Sequence, residues 1–410
     1  MTSDGNSKRG ETARRVPLDL VLLSGAFFFI FLGPGAIQQH LDKILGDKRF
    51  YVLATVYLSF CFWRIFIATT MDWLGDGLSE LLGAATYVLF VATMLFSTSW
   101  PAVLGAAIVW GWGASSLWIT SQAQLLDTTK RTGAASGLFY SALTGGQAIG
   151  VGLLALVAAS WDASLRNILP CSLNQAILGI CVVLGLPGLL LIALVPRRKV
   201  ERQRFSFAGF WKIARQRTIM LVGIILLCSS LSYGILLGVF SELARTSLHS
   251  QWPAIGFYVA RVVLCLPAGA LADKIGKERV LKFSFLLAGA GVLVAALWRS
   301  NPGLSLTICA IAMATENALT QSNSMALMGD VAKSESRHMA LGAIFLWRDL
   351  GIVIPLFVAG ALKGLLPNPQ DSGAVARVFH ASLFGFAAVF VLCAFLTDAL
   401  RKAVQRHAPA

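Results

Sequence analysis

Gly269-Ala-Leu-Ala-Asp273-Lys-Ile-Gly276-Lys-Glu-Arg279 is a short charged segment between two apolar runs, near residues 253–272 and 280–298. Each run has about 20 residues, which as an α-helix is long enough to cross about 30 Å of hydrocarbon. A charged hairpin between two such runs is typical of a loop that joins two membrane-spanning helices. The segment therefore predicts a protein that lies in a lipid bilayer.

The composition of the whole chain agrees with this prediction. Of its 410 residues, 56% are hydrophobic and 13% are charged, whereas an average soluble domain has about 25% charged residues. Charged and turn residues divide the sequence into about twelve apolar runs. A water-soluble globular protein is therefore excluded. The predicted spans are near 17–39, 50–71, 78–97, 100–126, 132–160, 172–195, 217–240, 253–272, 280–298, 304–328, 338–363 and 378–400.

The distribution of basic residues predicts how the chain is oriented. The net charge of +14 could indicate a nucleic-acid partner in a soluble chain, but most Lys and Arg residues here lie on the side that holds both termini. The positive-inside rule places that side in the cytoplasm. The first run is too long for a signal peptide and lacks a cleavage site, so we expect it to remain. We predict a multi-pass plasma-membrane protein, in a bacterial inner membrane, with both termini cytoplasmic and no nucleic-acid partner.

A basic segment divides the spans into two groups of six. We predict a cytoplasmic tail at 1–16, a first bundle at 17–195, a basic cytoplasmic linker at 196–216, a second bundle at 217–400 and a cytoplasmic tail at 401–410. Two interpretations of the linker stay open. It is a topology anchor beside anionic lipid headgroups, or it is a regulatory or partner site.

The charged hairpin resembles the Gly-x-Leu-x-Asp-basic-x-Gly-basic loop of the major facilitator superfamily. The residues that carry the resemblance are Gly269, Leu271, Asp273, Lys274, Gly276 and Lys277. The resemblance implies an all-α integral membrane protein with about 12 transmembrane helices in two six-helix bundles around a central cavity. It further implies transport of a small solute by alternating access, with the Asp273 loop latching the two halves near the start of the fifth helix.

A degraded copy of the hairpin follows the second run. Asp72-Trp73-Leu74-Gly75-Asp76 keeps the Asp-x-x-Gly spacing, but Trp73 and Asp76 replace the two lysines of the other copy. In most of the superfamily the first copy is the better kept one, so this sequence departs from the usual gating loop. The predicted gating-loop residues are Asp72, Gly75, Gly269, Asp273, Lys274, Gly276 and Lys277.

The first 125 residues or so also resemble the Unc-ninety-three-type branch of the superfamily, for example at Tyr57-Leu-Ser-Phe60 and Gly113-Ala-Ser-Ser-Leu-Trp118-Ile-Thr-Ser-Gln122. Some members of that branch are regarded as accessory or trafficking proteins. A non-transporting membrane scaffold is therefore the alternative function. A hydrated polar cavity separates the two functions, because a scaffold does not need one.

Ionisable residues within the predicted spans are expensive, by at least about 2.5 to 3.5 kcal/mol each at a helix centre. Arg261, Glu316, Arg348 and Asp349 lie at similar depth in the second half, and we expect Glu316 to reach Arg348. Three explanations stay open. They are a buried structural ion-pair network, proton coupling at a carboxylate whose arginine partner moves away, and a direct part in substrate binding.

Arg64, the fifth residue of this proton-coupling or ion-pair set, has no carboxylate at its depth in the first half. One interpretation is that it snorkels to Asp72 or to loop carbonyls at the membrane edge. The other is that it faces the cavity and attracts an anion. The second interpretation favours substrates that carry a carboxylate or a phosphate.

The superfamily resemblance places the first, fourth, seventh and tenth helices around the cavity. Their amide and aromatic side chains suit a solute with polar and ring-like or alkyl parts, although hydrogen bonds between helices explain the same residues. The predicted substrate-binding residues are Gln38, Gln39, Trp118, Gln122, Tyr233, Glu316, Asn317, Thr320, Gln321 and Asn323.

Glycines in the fifth helix predict a close contact with the eighth. Gly133, Gly137, Gly146 and Gly150 form two Gly-xxx-Gly pairs, which allow helix backbones to approach closely. A sliding contact in a rocking transporter and static packing both fit this pattern.

The sequence contains no nucleotide-binding loop, no nucleophile and base pattern, and no metal-ligand spacing. We therefore predict a protein that is not an enzyme and has no catalytic residues, metal or cofactor. The predicted partners are a small-molecule substrate and the lipid bilayer, and the protein is expected to be a monomer. The function that follows is secondary active transport of an organic anion or amphipathic metabolite, coupled to protons.

Overall fold

The computed structural model describes residues 17–128, 132–161, 171–196, 203–244, 252–331, 334–368 and 371–405, and this part of the chain is helical without any strand. Its twelve long helices are α1 Leu18–Leu32, α2 Lys48–Leu74, α3 Asp76–Phe96, α4 Trp100–Thr128, α5 Thr132–Ser160, α6 Leu173–Leu194, α7 Arg217–Ile235, α8 Trp252–Ile275, α9 Lys277–Leu297, α10 Pro302–Val331, α11 Arg337–Gly364 and α12 Ser372–Gln405.

Within the described ranges, eleven helical segments are long and apolar enough to cross a membrane. The described part of α8 contributes a further apolar segment, Trp252–Ala268. A π-helical turn, Leu236–Phe240, and a short helix, Ser241–Leu243, extend α7. The predicted all-α membrane fold is thus confirmed.

Successive spanning helices alternate in direction, so the start of α1 and the end of α12 lie at the same end of the molecule. We name this end the terminal face and the other end the opposite face. The C-terminal ends of α2, α4, α8 and α10 lie at the terminal face. The C-terminal ends of α3, α7, α9 and α11 lie at the opposite face.

The helices pack as two groups of six. In the first group, α1 packs on α5 and α6, and α4 packs on α2 and α3. In the second group, α7 packs on α11 and α12, and α10 packs on α8 and α9. The groups meet mainly where α2 crosses α11 and where α5 crosses α8. The exact bundle boundaries predicted above remain a prediction, and residues 1–16 and 406–410 lie outside the described ranges.

The first helix stops inside the bundle at Gly33-Pro34-Gly35. Proline has no N–H to donate and its ring fixes the backbone, so it interrupts a helix that would otherwise continue. A 3-10 turn, Ala36–Gln39, follows this break. The turn brings the buried side chains of Gln38 and Gln39 towards the centre of the molecule.

Single glycines separate the helices at both predicted hairpins. Gly75, between α2 and α3, has φ of 74°, and Gly276, between α8 and α9, has φ of 93°. Residues with a Cβ rarely adopt this left-handed region, so glycine is required at each turn. The Asp-x-x-Gly spacing therefore marks equivalent turns in the two bundles. The surroundings of Gly269 and the side chain of Asp273 lie outside the described part, so the latch stays a prediction.

Glycines of α5 serve two different contacts. A Cβ on Gly146 or Gly150 would collide with backbone carbonyl oxygens of α1, within the first bundle. A Cβ on Gly137 would lie 2.8 Å from the carbonyl oxygen of Cys265 in α8. The predicted contact between α5 and α8 is therefore found at Gly137, whereas the second Gly-xxx-Gly pair packs inside one bundle.

Replacing Gly137 with alanine should destabilise the protein by about 1 to 3 kcal/mol, because the added methyl group forces α5 and α8 apart. Gly152→Ala is the matched control on the same helix, since a Cβ there meets no atom within 4 Å. The melting temperature of the purified protein in detergent measures both effects. Equal melting temperatures for the two variants would contradict the close crossing at Gly137.

Candidate functional site

A central cavity lies where the two bundles meet. Its lining combines seven aromatic side chains, five uncharged polar side chains, two arginines and two aliphatic side chains. The lining residues are Phe31, Gln38, Tyr57, Phe60, Tyr87, Trp118, Tyr140, Leu143, Gln147, Ser230, Tyr233, Arg261, Asn317, Gln321, Arg348 and Ile352. Nine of the twelve long helices or their extensions contribute, not only the four that sequence reasoning expected.

Aromatic rings form one wall of the cavity. Trp118 of α4 donates a hydrogen bond of 3.0 Å from Nε1 to the Tyr87 hydroxyl, and its ring stacks on Tyr140 at 6.4 Å between centroids. Phe31 meets the Trp118 ring edge-on at 5.9 Å. Because these rings are held by each other, they present a preformed flat apolar surface to a solute.

Amide and phenol groups join the bundles at the same level. Gln39 donates from Nε2 to the Tyr258 hydroxyl at 2.9 Å, and Gln147 donates from Nε2 to the Tyr233 hydroxyl at 3.2 Å. Each bond links a glutamine of the first bundle to a tyrosine of the second. Gln147 and Tyr233 line the cavity, so polar groups of the lining also join the two bundles.

A buried ion triad of Arg64, Arg348 and Asp349 joins α2 to α11. Arg64 Nε lies 2.8 Å from Asp349 Oδ2, and Arg348 donates to Asp349 Oδ1 from Nε at 2.9 Å and from Nη2 at 2.7 Å. The Arg64 and Asp349 side chains are 0% exposed. Arg64 Nη1 also donates to the Ser115 carbonyl oxygen at 3.0 Å. Two cations share one carboxylate, so the triad carries one surplus positive charge.

The triad corrects the expectation for Arg64. This residue does not snorkel to Asp72 at the membrane edge, and it does not line the cavity. Its carboxylate partner comes from the other bundle, 285 residues away in sequence. Asp72 instead accepts a hydrogen bond of 2.8 Å from the Phe205 backbone N–H in the linker segment.

Arginine side chains supply positive charge to the cavity wall. The Arg348 guanidinium lies 4.7 Å from the Trp118 ring centroid and 4.3 Å from that of Phe345. Arg261 lies 5.7 Å from the Phe257 ring centroid, and its buried Nε has no hydrogen-bond partner. Among the side chains that the structure describes, no carboxylate pairs with Arg261. The cavity therefore offers two guanidinium groups and no lining carboxylate.

Glu316 lies behind the cavity wall and not in it. Its carboxylate accepts hydrogen bonds from the Ser232 hydroxyl at 2.8 Å and from the Thr320 hydroxyl at 2.9 Å, and the residue is 0% exposed. The expected pair between Glu316 and Arg348 is wrong, because Arg348 pairs with its own neighbour Asp349. Glu316 is thus a buried carboxylate held by neutral hydroxyl groups.

Half of the predicted substrate-binding residues lie on the cavity. Those that line it are Gln38, Trp118, Tyr233, Asn317 and Gln321. Those that do not line it are Gln39, Gln122, Glu316, Thr320 and Asn323. Sequence reasoning missed Tyr57, Tyr87, Tyr140 and Gln147 as lining residues, because an aromatic or amide side chain that lines a cavity has the same sequence pattern as one in a packed core. Ligand contact by any of these residues remains a prediction.

A second buried charge cluster closes the opposite face, and we call it the opposite-face network. Arg49 of α2 lies 2.6 Å from Glu242, which follows α7. Glu242 lies 3.4 Å from Lys363 of α11. Lys363 also pairs with Asp47, and Asp42 lies 3.7 Å from Arg49. Two of these pairs, Arg49 with Glu242 and Lys363 with Asp47, join the two bundles, so the network holds the bundles together at that end.

The terminal face has its own contacts between the bundles. Arg337 at the start of α11 pairs with Asp127 at the end of α4. The Gln203 backbone N–H, in the linker segment, donates to the Glu335 carbonyl oxygen at 3.0 Å. Polar contacts between the bundles therefore lie at both ends of the cavity.

Replacing Glu242 with glutamine should destabilise the protein by about 1 to 3 kcal/mol, because Arg49 and Lys363 lose the carboxylate that they share but keep Asp42 and Asp47. Asp398→Asn is the control, because its pair with Lys282 is 51% and 39% exposed and should contribute about 0 to 1 kcal/mol. Thermal unfolding of the two purified variants provides the comparison. If both variants melt alike, the opposite-face network does not hold the bundles together.

Comparison with known proteins places these features in a family. The sequence model of the Major Facilitator Superfamily matches residues 18–354 and 222–410. A 145-residue segment is 26% identical to UNC93-like protein 3 of Arabidopsis thaliana, which covers 35% of this chain and 31% of that protein. The match thus spans about a third of that curated relative.

Solved structures show the same architecture. The human organic anion transporter MFSD10 (TETRAN) superposes with a TM-score of 0.65 at 15% identity, over 93% of this chain and 100% of that chain. The E. coli fucose:proton symporter FucP, in a variant form, superposes with a TM-score of 0.64 at 15% identity, over 90% of this chain and 98% of that chain. At these identities the similarity establishes the fold alone.

Proposed function

Because the chain belongs to the major facilitator superfamily, whose members are membrane transporters and not enzymes, we propose that it transports a ring-bearing organic anion by alternating access. The transport is secondary active and coupled to protons. We propose that the protein acts as a monomer. The terminal face is cytoplasmic, as the positive-inside rule predicts, in a bacterial inner membrane.

The observation that carries this proposal is the charge of the cavity wall. Arg261 and Arg348 line the cavity, and no carboxylate lines it with them. Asp349, which neutralises part of this charge, is shared between two arginines. A guanidinium group binds a carboxylate or phosphate through short charge-assisted hydrogen bonds, which are stronger away from water. An anion is therefore favoured over a neutral solute or a cation.

The aromatic wall supports a ring in the same solute. Trp118, Tyr140 and Tyr87 present flat faces next to the Arg348 guanidinium. A ring placed on this wall would leave its acidic group within the region of the two arginines. Such a division between an apolar body and a few polar groups is typical of small-molecule sites.

The contacts at the two faces support alternating access. The opposite-face network and the Arg337–Asp127 pair each join the two bundles on one side of the cavity. Opening one set while keeping the other would expose the cavity to one side at a time. The crossings of α2 with α11 and of α5 with α8 are the surfaces on which the bundles would rock.

Glu316 is the residue that we propose for proton coupling. It is fully buried beside the cavity wall, and its hydrogen-bond donors are hydroxyl groups that can also accept a bond from a protonated carboxyl. Arg261 of α8 is the cavity cation without an ion-pair partner among the described side chains. An arriving proton would remove the negative charge of Glu316 from behind the cavity wall, so the positive charge of Arg261 would attract the substrate anion more strongly.

The alternative of a non-transporting scaffold has weaker support. The similarity to UNC93-like protein 3 covers about a third of each chain. Charged and polar groups inside a membrane-spanning bundle cost free energy. A scaffold does not need a cavity lined by such groups. The cavity therefore supports transport.

Aromatic carboxylates should raise the melting temperature of the purified protein more than their neutral amides, with phenylacetate and phenylacetamide as the first matched pair. Arg261→Gln should weaken phenylacetate binding by about tenfold or more, because it removes a charge-assisted hydrogen bond. Arg377→Gln is the control, since Arg377 is exposed at the start of α12. Equal stabilisation of the wild-type protein by acids and amides across a panel of aromatic carboxylates would rule out the anion preference.

Glu316→Gln should abolish the stimulation of uptake by an inward proton gradient, because glutamine has no proton to exchange. Exchange of labelled for unlabelled substrate across proteoliposomes without a gradient should continue. Glu335→Gln, an exposed carboxylate next to α11, serves as the control. Gradient-driven uptake that persists in Glu316→Gln would exclude this residue as the coupling site.

A further inference from the structure

We propose that Asp349 is an internal anion that occupies Arg348 in the empty protein, and that the carboxylate of the transported anion takes its place on Arg348. This inference rests on the proposed function and identifies the exchange that links binding to movement of the bundles. Asp349 acts as a positioning residue in this exchange, because its side chain does not line the cavity.

The geometry of the Asp349 contact is the geometry that a substrate carboxylate would use. Nε and Nη2 of Arg348 both donate to Asp349 Oδ1, at 2.9 Å and 2.7 Å. This edge of the guanidinium fork is the part that recognises carboxylates in proteins. Arg348 lines the cavity while Asp349 lies behind it with 0% exposure. Asp349, from behind the cavity wall, and the substrate carboxylate, from the cavity, would therefore compete for the same N–H donors of Arg348.

Asp349 can release Arg348 without becoming an unpaired buried charge. Its second oxygen, Oδ2, accepts a bond from Arg64 Nε at 2.8 Å. Arg64 Nη2 is buried and has no hydrogen-bond partner, so it is able to bind the oxygen that Arg348 gives up. Trp118 and Phe345 hold the Arg348 guanidinium through their ring faces. Arg348 is thus kept at the cavity wall during the exchange.

The exchange alters a contact between the bundles. Arg64 belongs to α2 of the first bundle, whereas Arg348 and Asp349 belong to α11 of the second. On the same face of α11, seven residues before Asp349, a Cβ on Gly342 would lie 2.6 Å from the Arg64 carbonyl oxygen. The triad therefore lies at a tight crossing of α2 and α11. When Asp349 releases Arg348, it pairs with Arg64 alone. The ion pairs at the crossing of α2 and α11 then change, so the bundle interface with bound substrate differs from the interface without it.

Two substitutions in the triad should change anion affinity in opposite directions. Asp349→Asn removes the competing anion, so phenylacetate should bind about tenfold more tightly than to the wild-type protein. Arg64→Gln leaves Asp349 wholly dependent on Arg348, so phenylacetate should bind more weakly. Phenylacetamide affinity should be the same in all three proteins. Isothermal titration in detergent measures these affinities, and structural damage alone would weaken binding in both variants.

Arg348→Lys separates direct exchange from the general charge of the cavity. Lysine keeps the charge but lacks the planar fork, so phenylacetate should bind about tenfold more weakly. Affinity that equals that of the wild-type protein would show that only the overall charge matters and would overturn the exchange.

A separate experiment does not depend on the transported substrate. Asp349→Ala leaves a space beside Arg64 and Arg348 that acetate can fill, so acetate should raise the melting temperature of this variant and not that of the wild-type protein. Acetamide at the same concentration is the control. Equal shifts with acetate and acetamide would contradict an exchangeable anion site between the two arginines.

The outcomes distinguish this inference from the proposed function. Wild-type protein that does not prefer aromatic carboxylates to amides contradicts the proposed function. Wild-type protein that binds phenylacetate, with no gain in Asp349→Asn, contradicts only the exchange. If Asp349→Asn does not purify as a monodisperse protein, Arg64→Gln decides, since unchanged phenylacetate affinity in that variant overturns the inference.

Discussion

The cost of a buried carboxylate is the constraint on which the central region depends. Asp349 is completely buried in a bundle that spans hydrocarbon, where an unpaired charge is prohibitive. One cation would neutralise it, but the structure provides two, Arg64 from the first bundle and Arg348 from the second. The same contact therefore joins the bundles and leaves a surplus positive charge beside the cavity. The packing of the bundles and the proposed anion preference thus have one origin in this triad.

The remaining contacts between the bundles are arranged around that centre. Close backbone approach occurs at Gly342, where α11 meets α2, and at Gly137, where α5 meets α8. These two crossings lie on opposite sides of the cavity, and side chains larger than glycine would separate them. Ion pairs at the two faces complete the interface. Glycines thus determine the distance between the two bundles at the crossings. Ion pairs hold the bundles together at the two faces.

The sequence predicted the features that depend on local pattern. Apolar length located the spans, and the Asp-x-x-Gly spacing located the turns at Gly75 and Gly276. The cost of charge in hydrocarbon singled out all members of the triad. The sequence could not predict which charges pair, because Arg64 and Asp349 are 285 residues apart and depth along a helix does not tell which way a side chain points. Cavity tyrosines such as Tyr140 were missed for a related reason, since a lining ring and a core ring have the same pattern.

Arg261 links the stability of the folded protein to its proposed function. Its Nε is buried without a hydrogen-bond partner, and its recorded neighbour is the face of the Phe257 ring, a weaker partner than a carboxylate. A group in this state raises the free energy of the folded protein unless something else binds it. A ligand that binds only the folded state stabilises it in proportion to the logarithm of its concentration over its dissociation constant. An anion that binds Arg261, as proposed, would therefore stabilise the folded protein, so its binding can be followed through the melting temperature.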